Sequence, residues 1–258
     1  FRGLLDTLSI VPEVWRVSPY KTAGDVYLNS TMSDAMHENY SQLLDGVYEE
    51  FVRGISEGKI WEDEKTRAVI DAGPYMLTDD AKEAGLITDT MYPDEFDDYV
   101  NDLNDGKVNI IKPKKENHHP DYQYAWRHDK VNDRIAVIYA VGGIVSGETR
   151  PGPSGSKNMG DETIAAAIKQ AREDKSIKAI VLRIDSGGGS ALASDIMWRE
   201  IIKTTKEDSS NVKPLIASMS DVAASGGYYI ACEADSIIAY PSTITGSIGV
   251  IGSRLNFS

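Results

Sequence analysis

Apolar residues in the first hundred positions recur at three- and four-residue steps. Met36, Tyr40, Leu43, Leu44, Val47, Phe51 and Ile55 would share one face of a helix about 20 residues long. Ser33 is placed to cap its start, and Gly58 lies near its end. A second helix is predicted from about Thr78 to Gly85, opening on the acidic turn Asp79-Asp80. Residues 94–103 predict a short acidic helix with Phe96, Tyr99, Val100 and Leu103 on one side and a solvated face on the other. From Asn104 to Asp133 the periodicity fails, and the stretch from Lys112 to Pro120 is polar, basic and proline-punctuated, as a linker would be. Beyond it the period changes. Ile135–Ala140 predicts a buried strand, and Asp161 opens a helix carrying Ile164, Ala165, Ile168 and Ala171. A strand (Ala179–Ile184), a glycine turn, a helix (about Ser190–Thr205), a strand (Pro214–Met219) and a short helix from Gly226 follow. Strands alternating with helices predict an α/β fold of stacked βαβ units around a mostly parallel sheet.

Composition narrows the function classes. The 258 residues are 41% hydrophobic and 26% charged, as in a folded globular chain. No apolar run approaches the roughly 18 residues of a membrane span; the stretch Ile135–Val145 is broken by Gly142 and Gly143. A net charge of −13 argues against nucleic acid as a partner. The single cysteine, Cys232, excludes an internal disulfide and any multi-cysteine zinc site; its apolar neighbourhood suggests a small core residue. The chain opens Phe1-Arg2-Gly3 without an initiator Met and closes Leu255-Asn256-Phe257-Ser258 without a polar tail, as expected of an internal piece of a longer protein.

Two glycine turns stand at the carboxyl ends of predicted strands, where open α/β folds place their sites. The first, Arg183-Ile-Asp-Ser-Gly-Gly-Gly-Ser190, allows close approach to its amides at a helix N-terminus, or is simply a tight strand-to-helix turn. A dinucleotide fingerprint would need glycine at 192, which is Leu192, and no GxxxxGK occurs. In the second, Ala223-Ala-Ser-Gly-Gly-Tyr-Tyr229, Ser225 is either a nucleophile with the Gly226 amide beside it or only a helix cap. The histidines (His37, His118, His119, His128) all precede Ser225, so the order of a Ser-His-Asp triad with its histidine after the serine is not met. His118, His119, Asp121 and His128 read as solvated linker before they read as a metal site. Lysine is the other base, yet Ser-x-x-Lys occurs four times, at Ser18/Lys21, Ser56/Lys59, Ser154/Lys157 and Ser210/Lys213, so spacing selects none of them.

The segments Ala179-Ile-Val-Leu-Arg-Ile-Asp-Ser186 with its glycine turn, Ala223–Tyr229, and Pro241-Ser-Thr-Ile-Thr-Gly-Ser-Ile-Gly249 together resemble the signal peptide peptidase A (protease IV) family. Those are Ser/Lys peptidases of Clp/crotonase-like fold. Residues 1–104 resemble the second half of the preceding repeat in the family's long tandem form, through Gly3–Leu8, Val14–Val17, Tyr20-Lys-Thr22 and Ala81–Ile87. The resemblance implies three parts: 1–104 carrying the base lysine, a linker at 105–134, and 135–258 as the first part of the second repeat carrying the nucleophile. It implies Ser225 as nucleophile, Lys21 as general base and Ser247 as the serine that orients the lysine. The amides of Gly226 and of Gly188 or Gly189 would form the oxyanion hole. No metal or organic cofactor is implied. The expected substrates are hydrophobic peptides such as cleaved signal peptides. The parent is expected as a membrane-anchored homo-oligomer at the extracytoplasmic side of a bacterial membrane, the present piece being soluble. A crotonase-type acyl-CoA enzyme and a non-catalytic oligomeric scaffold are the competing readings of the same fold.

Overall fold

The computed structural model describes residues 1–103, 108, 133–152, 155–208 and 210–257. The stretch read as a linker lies almost wholly outside these residues, as do His118, His119, Asp121, His128 and Ser154. The described elements run α1 (Arg2–Thr7), β1 (Ile10–Arg16), a 3-10 turn (Thr22–Gly24), α2 (Asp25–Leu28), α3 (Asp34–Lys59), α4 (Asp63–Asp71), α5 (Thr78–Glu83) and α6 (Pro93–Leu103). They continue with β2 (Arg134–Val141), β3 (Gly143–Val145), β4 (Asn158–Gly160), α7 (Asp161–Glu173), β5 (Ile177–Ser186) and α8 (Ala191–Ile202), which passes into a π-helical turn. Last come β6 (Leu215–Ala224), α9 (Gly226–Tyr229), β7 (Ser236–Ile238), β8 (Ile244–Gly246) and β9 (Ile251–Phe257).

The chain divides into two compact units, Phe1–Glu50 with Val131–Ser258, and Phe51–Lys130. This grouping by compactness follows different lines from the repeat boundaries implied by resemblance, because β1, near the start, pairs with β9, near the end.

In the first unit a parallel sheet runs in the order β2-β5-β6-β7, with β8 also parallel to the far end of β6. The period-2 pattern of β5 puts Ile180, Leu182 and Ile184 on one face, each fully buried. They pack with Ile168 of α7 and with Met197 and Ile201 of α8, which makes this the core of the α/β layer. Each such side chain contributes about 1.5–3 kcal/mol by leaving water. The helices α7 and α8 are also joined by polar groups: buried Arg172 donates to Glu200 at 2.5 Å and also pairs with Asp208. Lys213, equally buried, donates to the carbonyls of Ala171 (2.7 Å) and Asp174 (2.5 Å) and so closes the C-terminal end of α7.

β1 and β9 form a separate antiparallel ribbon, in register from Ile10 opposite Phe257 to Arg16 opposite Ile251. The period reading does not predict it. Pro12 sits inside β1, and a proline demotes a run as a strand unless that strand is an edge, which in a two-stranded ribbon it always is.

In the second unit, Val52 and Ser56 of α3 are buried, and the Ser56 and Thr66 hydroxyls meet at 2.8 Å. The length of α3 and its cap agree with the sequence reading: the Ser33 hydroxyl accepts the Met36 N–H at 3.2 Å. Its inward face does not. Tyr40, Leu43, Leu44 and Phe51 are exposed, and the buried positions are Val52 and Ser56, one step round from Phe51 and Ile55, with Ser56 facing Thr66 of α4.

Candidate active site

The site is built from three loops of the first unit. Strand β6 runs through Ala224 and ends at Ser225, whose amide donates to the Gly246 carbonyl at 2.9 Å. Ser225 has φ +54° and ψ −118°, a strained conformation for a residue with a side chain. It precedes α9, yet its hydroxyl makes no capping hydrogen bond among the described residues, which removes the bland reading of Ser225 as a helix cap. Ser190 provides the contrast: at the start of α8 its hydroxyl does accept the Ala193 N–H, at 3.3 Å.

Gly246 is followed by Ser247, also at positive φ (+48°). Lys21 reaches this residue from the other end of the chain. Its Nζ donates to the Ser247 hydroxyl at 3.0 Å and to the Ser247 carbonyl. The ribbon of β1 and β9 delivers it: the ladder continues through the Val17 amide to the Val250 carbonyl at 3.3 Å, and four residues later the chain turns inward at Lys21. The Lys21 loop is clamped on both sides. Arg16 pairs with buried Asp25, which also accepts from the Ser33 hydroxyl, and Asn39 of α3 donates to the Tyr20 carbonyl at 3.1 Å. Lys21 is only 7% exposed, and burial lowers its pKa from the ordinary lysine value.

The third loop is the glycine turn after β5. The Gly188 carbonyl accepts from Ile144 of β3 at 3.0 Å, and Ile144 in turn accepts from Ser190 at 2.9 Å. A trans peptide holds its N–H opposite its C=O, so the Gly189 N–H is directed away from β3. The Gly188 N–H is used otherwise, donating to the buried Ser186 hydroxyl at 3.1 Å. Of the two amides considered from sequence, Gly189 is therefore the one left to face a ligand. Gly188 packs directly beneath the serine: with φ +96°, a Cβ there would stand 2.6 Å from the Gly226 nitrogen and 2.8 Å from the Ser225 Cβ.

Lys21, Gly189, Ser225 and Gly226 line one cavity of about 630 Å³, and Ser247 hydrogen-bonds its lysine. The remaining wall is largely apolar or small, with Ala191, Ile248, Val250 and Ile251, and among the described residues Lys21 is its only charged side chain. Cys232 also lies on this wall and is exposed, contrary to the expected core position: it falls in the turn after α9, which ends at Tyr229. Among the described residues the only histidine, His37, is on α3 and does not line the cavity. The four Ser-x-x-Lys hits are separated by position. Lys213 is buried and depressed in pKa by burial too, but it closes a helix; Lys59 and Lys157 do not line the cavity; Lys21 does.

Comparison with known proteins gives the family. The sequence pattern of Peptidase family S49 matches residues 1–107 and 207–258, which together make up more than half of the chain. The chain belongs to peptidase family S49. Similar proteins include the chloroplastic serine protease SPPA of Arabidopsis thaliana, 38% identical over 260 residues, covering 99% of this chain and 37% of that protein. Protease 4 of Haemophilus influenzae is 35% identical over 263 residues (97% of this chain, 41% of that protein), and protease 4 of Salmonella typhi 33% over 274 (98% and 40%). The chain thus spans about two fifths of the length of these relatives. The S49 match skips 108–206, which contains the glycine turn, β3 and Ser186; here the structure, not the family pattern, locates the lining residues.

Proposed function

We propose that this chain carries the nucleophile and general base of a serine endopeptidase with a Ser/Lys dyad, which cuts hydrophobic peptides such as cleaved signal peptides through an acyl-enzyme. The observation that carries the reading is the convergence of Lys21, Ser225, Gly189 and Gly226 on one cavity, with Ser225 strained and uncapped. Family membership supports peptidase chemistry. The apolar wall, with no carboxylate on it among the described residues, supports apolar side chains in the substrate.

The proposed steps follow from the donors and acceptors present. A neutral lysine amine has two N–H groups and one lone pair. Two N–H groups on the Ser247 hydroxyl and carbonyl leave one lone pair to accept a proton. An ordinary lysine is almost wholly protonated near neutrality, and burial lowers Lys21 toward the neutral form that a base requires. Lys21 accepts the Ser225 proton as Oγ bonds to the peptide carbonyl carbon, and the carbonyl π pair moves onto oxygen. The Gly226 and Gly189 amides hold that oxyanion, each donor contributing about 3 kcal/mol in comparable sites. Collapse breaks the C–N bond, and the Lys21 ammonium returns the proton to the departing amine. Water then attacks the ester, giving a proton to Lys21; collapse breaks the C–Oγ bond, and the Lys21 ammonium returns the proton to Ser225 as the acid departs. By resemblance, the working protein is a membrane-anchored homo-oligomer at the extracytoplasmic face of a bacterial membrane. No helix among the described residues is long and apolar enough to cross a membrane.

Labelling with a serine-directed phosphonate tests the reading. The full-length protein, Ser225→Ala and Lys21→Met would be compared by intact mass and peptide mapping between about pH 6 and 10. Single labelling at Ser225, rising with pH and lost in both variants, is expected. Labelling that survives Lys21→Met removes Lys21 as the base, and no labelling of the full-length protein refutes the peptidase.

A further inference from the structure

At the end of β5, just before the glycine turn, stands a side chain that belongs to the motif but has no role in it or in the mechanism so far. Ser186 closes β5 and is 2% exposed. Its hydroxyl donates to the Gly142 carbonyl at 2.7 Å and accepts from the Gly188 amide at 3.1 Å. The hydroxyl's single proton and one of its lone pairs are therefore both committed. Gly142 is the bend between β2 and β3, and it is tied back to the same strand end by its own N–H on the Asp185 carbonyl at 2.9 Å.

Three glycines in a row, 187–189, have more backbone freedom than any other tripeptide, so something outside them must fix the peptide planes. Ile144 fixes the 188–189 plane from one side, by donating to the Gly188 carbonyl. Ser186 fixes the 187–188 plane from the other, and it is the only side chain given a hydrogen bond to the turn's amides among the described residues. We infer that Ser186 is a positioning residue for the oxyanion hole: its hydroxyl locks the Gly188 amide and thereby aims the Gly189 N–H into the cavity beside Ser225. The inference rests on the peptidase reading given above. Ser186 does not touch substrate and does not alter the base.

The contact predicts a specific kinetic pattern. Without the hydroxyl the buried Gly188 amide loses its acceptor and the turn relaxes. A displacement approaching 1 Å at a catalytic donor costs up to about a hundredfold in rate. Substrate binding along the apolar wall is untouched. The test uses the full-length protein with a fluorogenic apolar peptide and with the matching peptide aldehyde, whose adduct with Ser225 develops the same oxyanion. Ser186→Ala should lower kcat about ten- to hundredfold with KM within about threefold, and weaken aldehyde inhibition by the same factor as kcat. The pH midpoint of kcat/KM, which reports Lys21, should not move. Ser186→Cys keeps the volume with a weaker hydrogen-bonding group; it should fall between wild type and Ser186→Ala, and it decides the matter if the alanine variant does not fold. A fall in thermal midpoint with kcat and aldehyde affinity unchanged in either folded variant would make Ser186 structural only and overturn the inference. If the wild type itself neither cleaves the peptide nor forms the aldehyde adduct, the peptidase reading fails and takes this one with it. A working wild type with an unaffected variant overturns Ser186 alone.

Discussion

Replacing Gly188 with alanine tests whether the glycine turn and the serine elbow are one mechanical unit. The new Cβ would stand 2.6 Å from the Gly226 nitrogen, about 0.8 Å inside the 3.4 Å at which ordinary contact begins, and 2.8 Å from the Ser225 Cβ. Neither neighbour is the end of a flexible side chain, so the backbone itself must yield. A left-handed φ adds about 1–2 kcal/mol for a residue with a side chain, and overpacking of this kind typically costs about 1–3 kcal/mol. We therefore expect Gly188→Ala to lose about 2–5 kcal/mol of stability in urea. Relief of the clash moves either the Gly226 amide or Ser225 by several tenths of an ångström, and kcat should fall by about a hundredfold in the folded fraction. Ala substitution at Gly187, where a Cβ meets nothing within 4 Å, is the matched control and should cost far less in both readouts. Equal effects at 187 and 188, or a Gly188→Ala variant with kcat within about threefold of wild type, would refute the packing argument.

The two buried lysines give opposite signatures. Because burial lowers Lys21, between that lowered value and 10.5 the unfolded chain holds a proton that the folded one does not, so stability rises with pH through this window. Lys21→Met should therefore abolish turnover while leaving the urea midpoint at neutral pH equal to or above wild type, an advantage that shrinks as pH climbs. Lys213→Met should do the reverse, losing about 1–3 kcal/mol by uncapping α7 while kcat is unchanged. Glu200→Ala leaves Arg172 buried beside Asp208 alone and should cost about 3–5 kcal/mol by chemical denaturation, most of it recovered in an Arg172→Met/Glu200→Leu double variant. In acid, burial pushes the Glu200 carboxyl up, but the hydrogen bonds from Arg172 and Lys203 outweigh it and hold it below the ordinary value. Its contribution is thus present above the ordinary carboxylate range and lost as pH falls through the lowered value, which an acid titration of the wild type against the double variant would reveal.

What could be read from sequence, and what could not, divides along contact range. The βαβ order, the cap of α3 and the two glycine turns are local: alternation in Ile180, Leu182 and Ile184, or a serine three residues before Met36, already contains the answer. The face of α3 differs from its periodicity because periodicity shows that an apolar stripe exists but not which element covers it; the partner of Ser56, Thr66, lies ten residues beyond it. Ser186 was visible as part of a motif, but its role depends on Gly142, 44 residues away. Chemistry alone could not choose between Lys21 and Lys213, since both are buried and both are lowered by burial.

The choice of lysine depends on a ribbon that neither strand announces. β1 contains Pro12, and β9 reads Ile-Gly-Ser-Arg-Leu-Asn-Phe, without clean alternation. Each is poor as a strand, and they pair across almost the whole chain, Ile10 with Phe257. That pairing sets the register at which Val17 meets Val250, and hence the reach of Lys21 to Ser247, 226 residues away in sequence. In the other direction, β8 pairs with β6 so that Gly246 receives the Ser225 amide. Residues 246–250 thus connect the two ladders, one holding the candidate nucleophile and the other the candidate base. The contacts that bury Lys21 and hold it on Ser247 exist only while both ladders are intact. On the proposed mechanism the reactivity of Ser225 is therefore tied to assembly of the first unit, and loosening the ribbon should silence the serine without touching it.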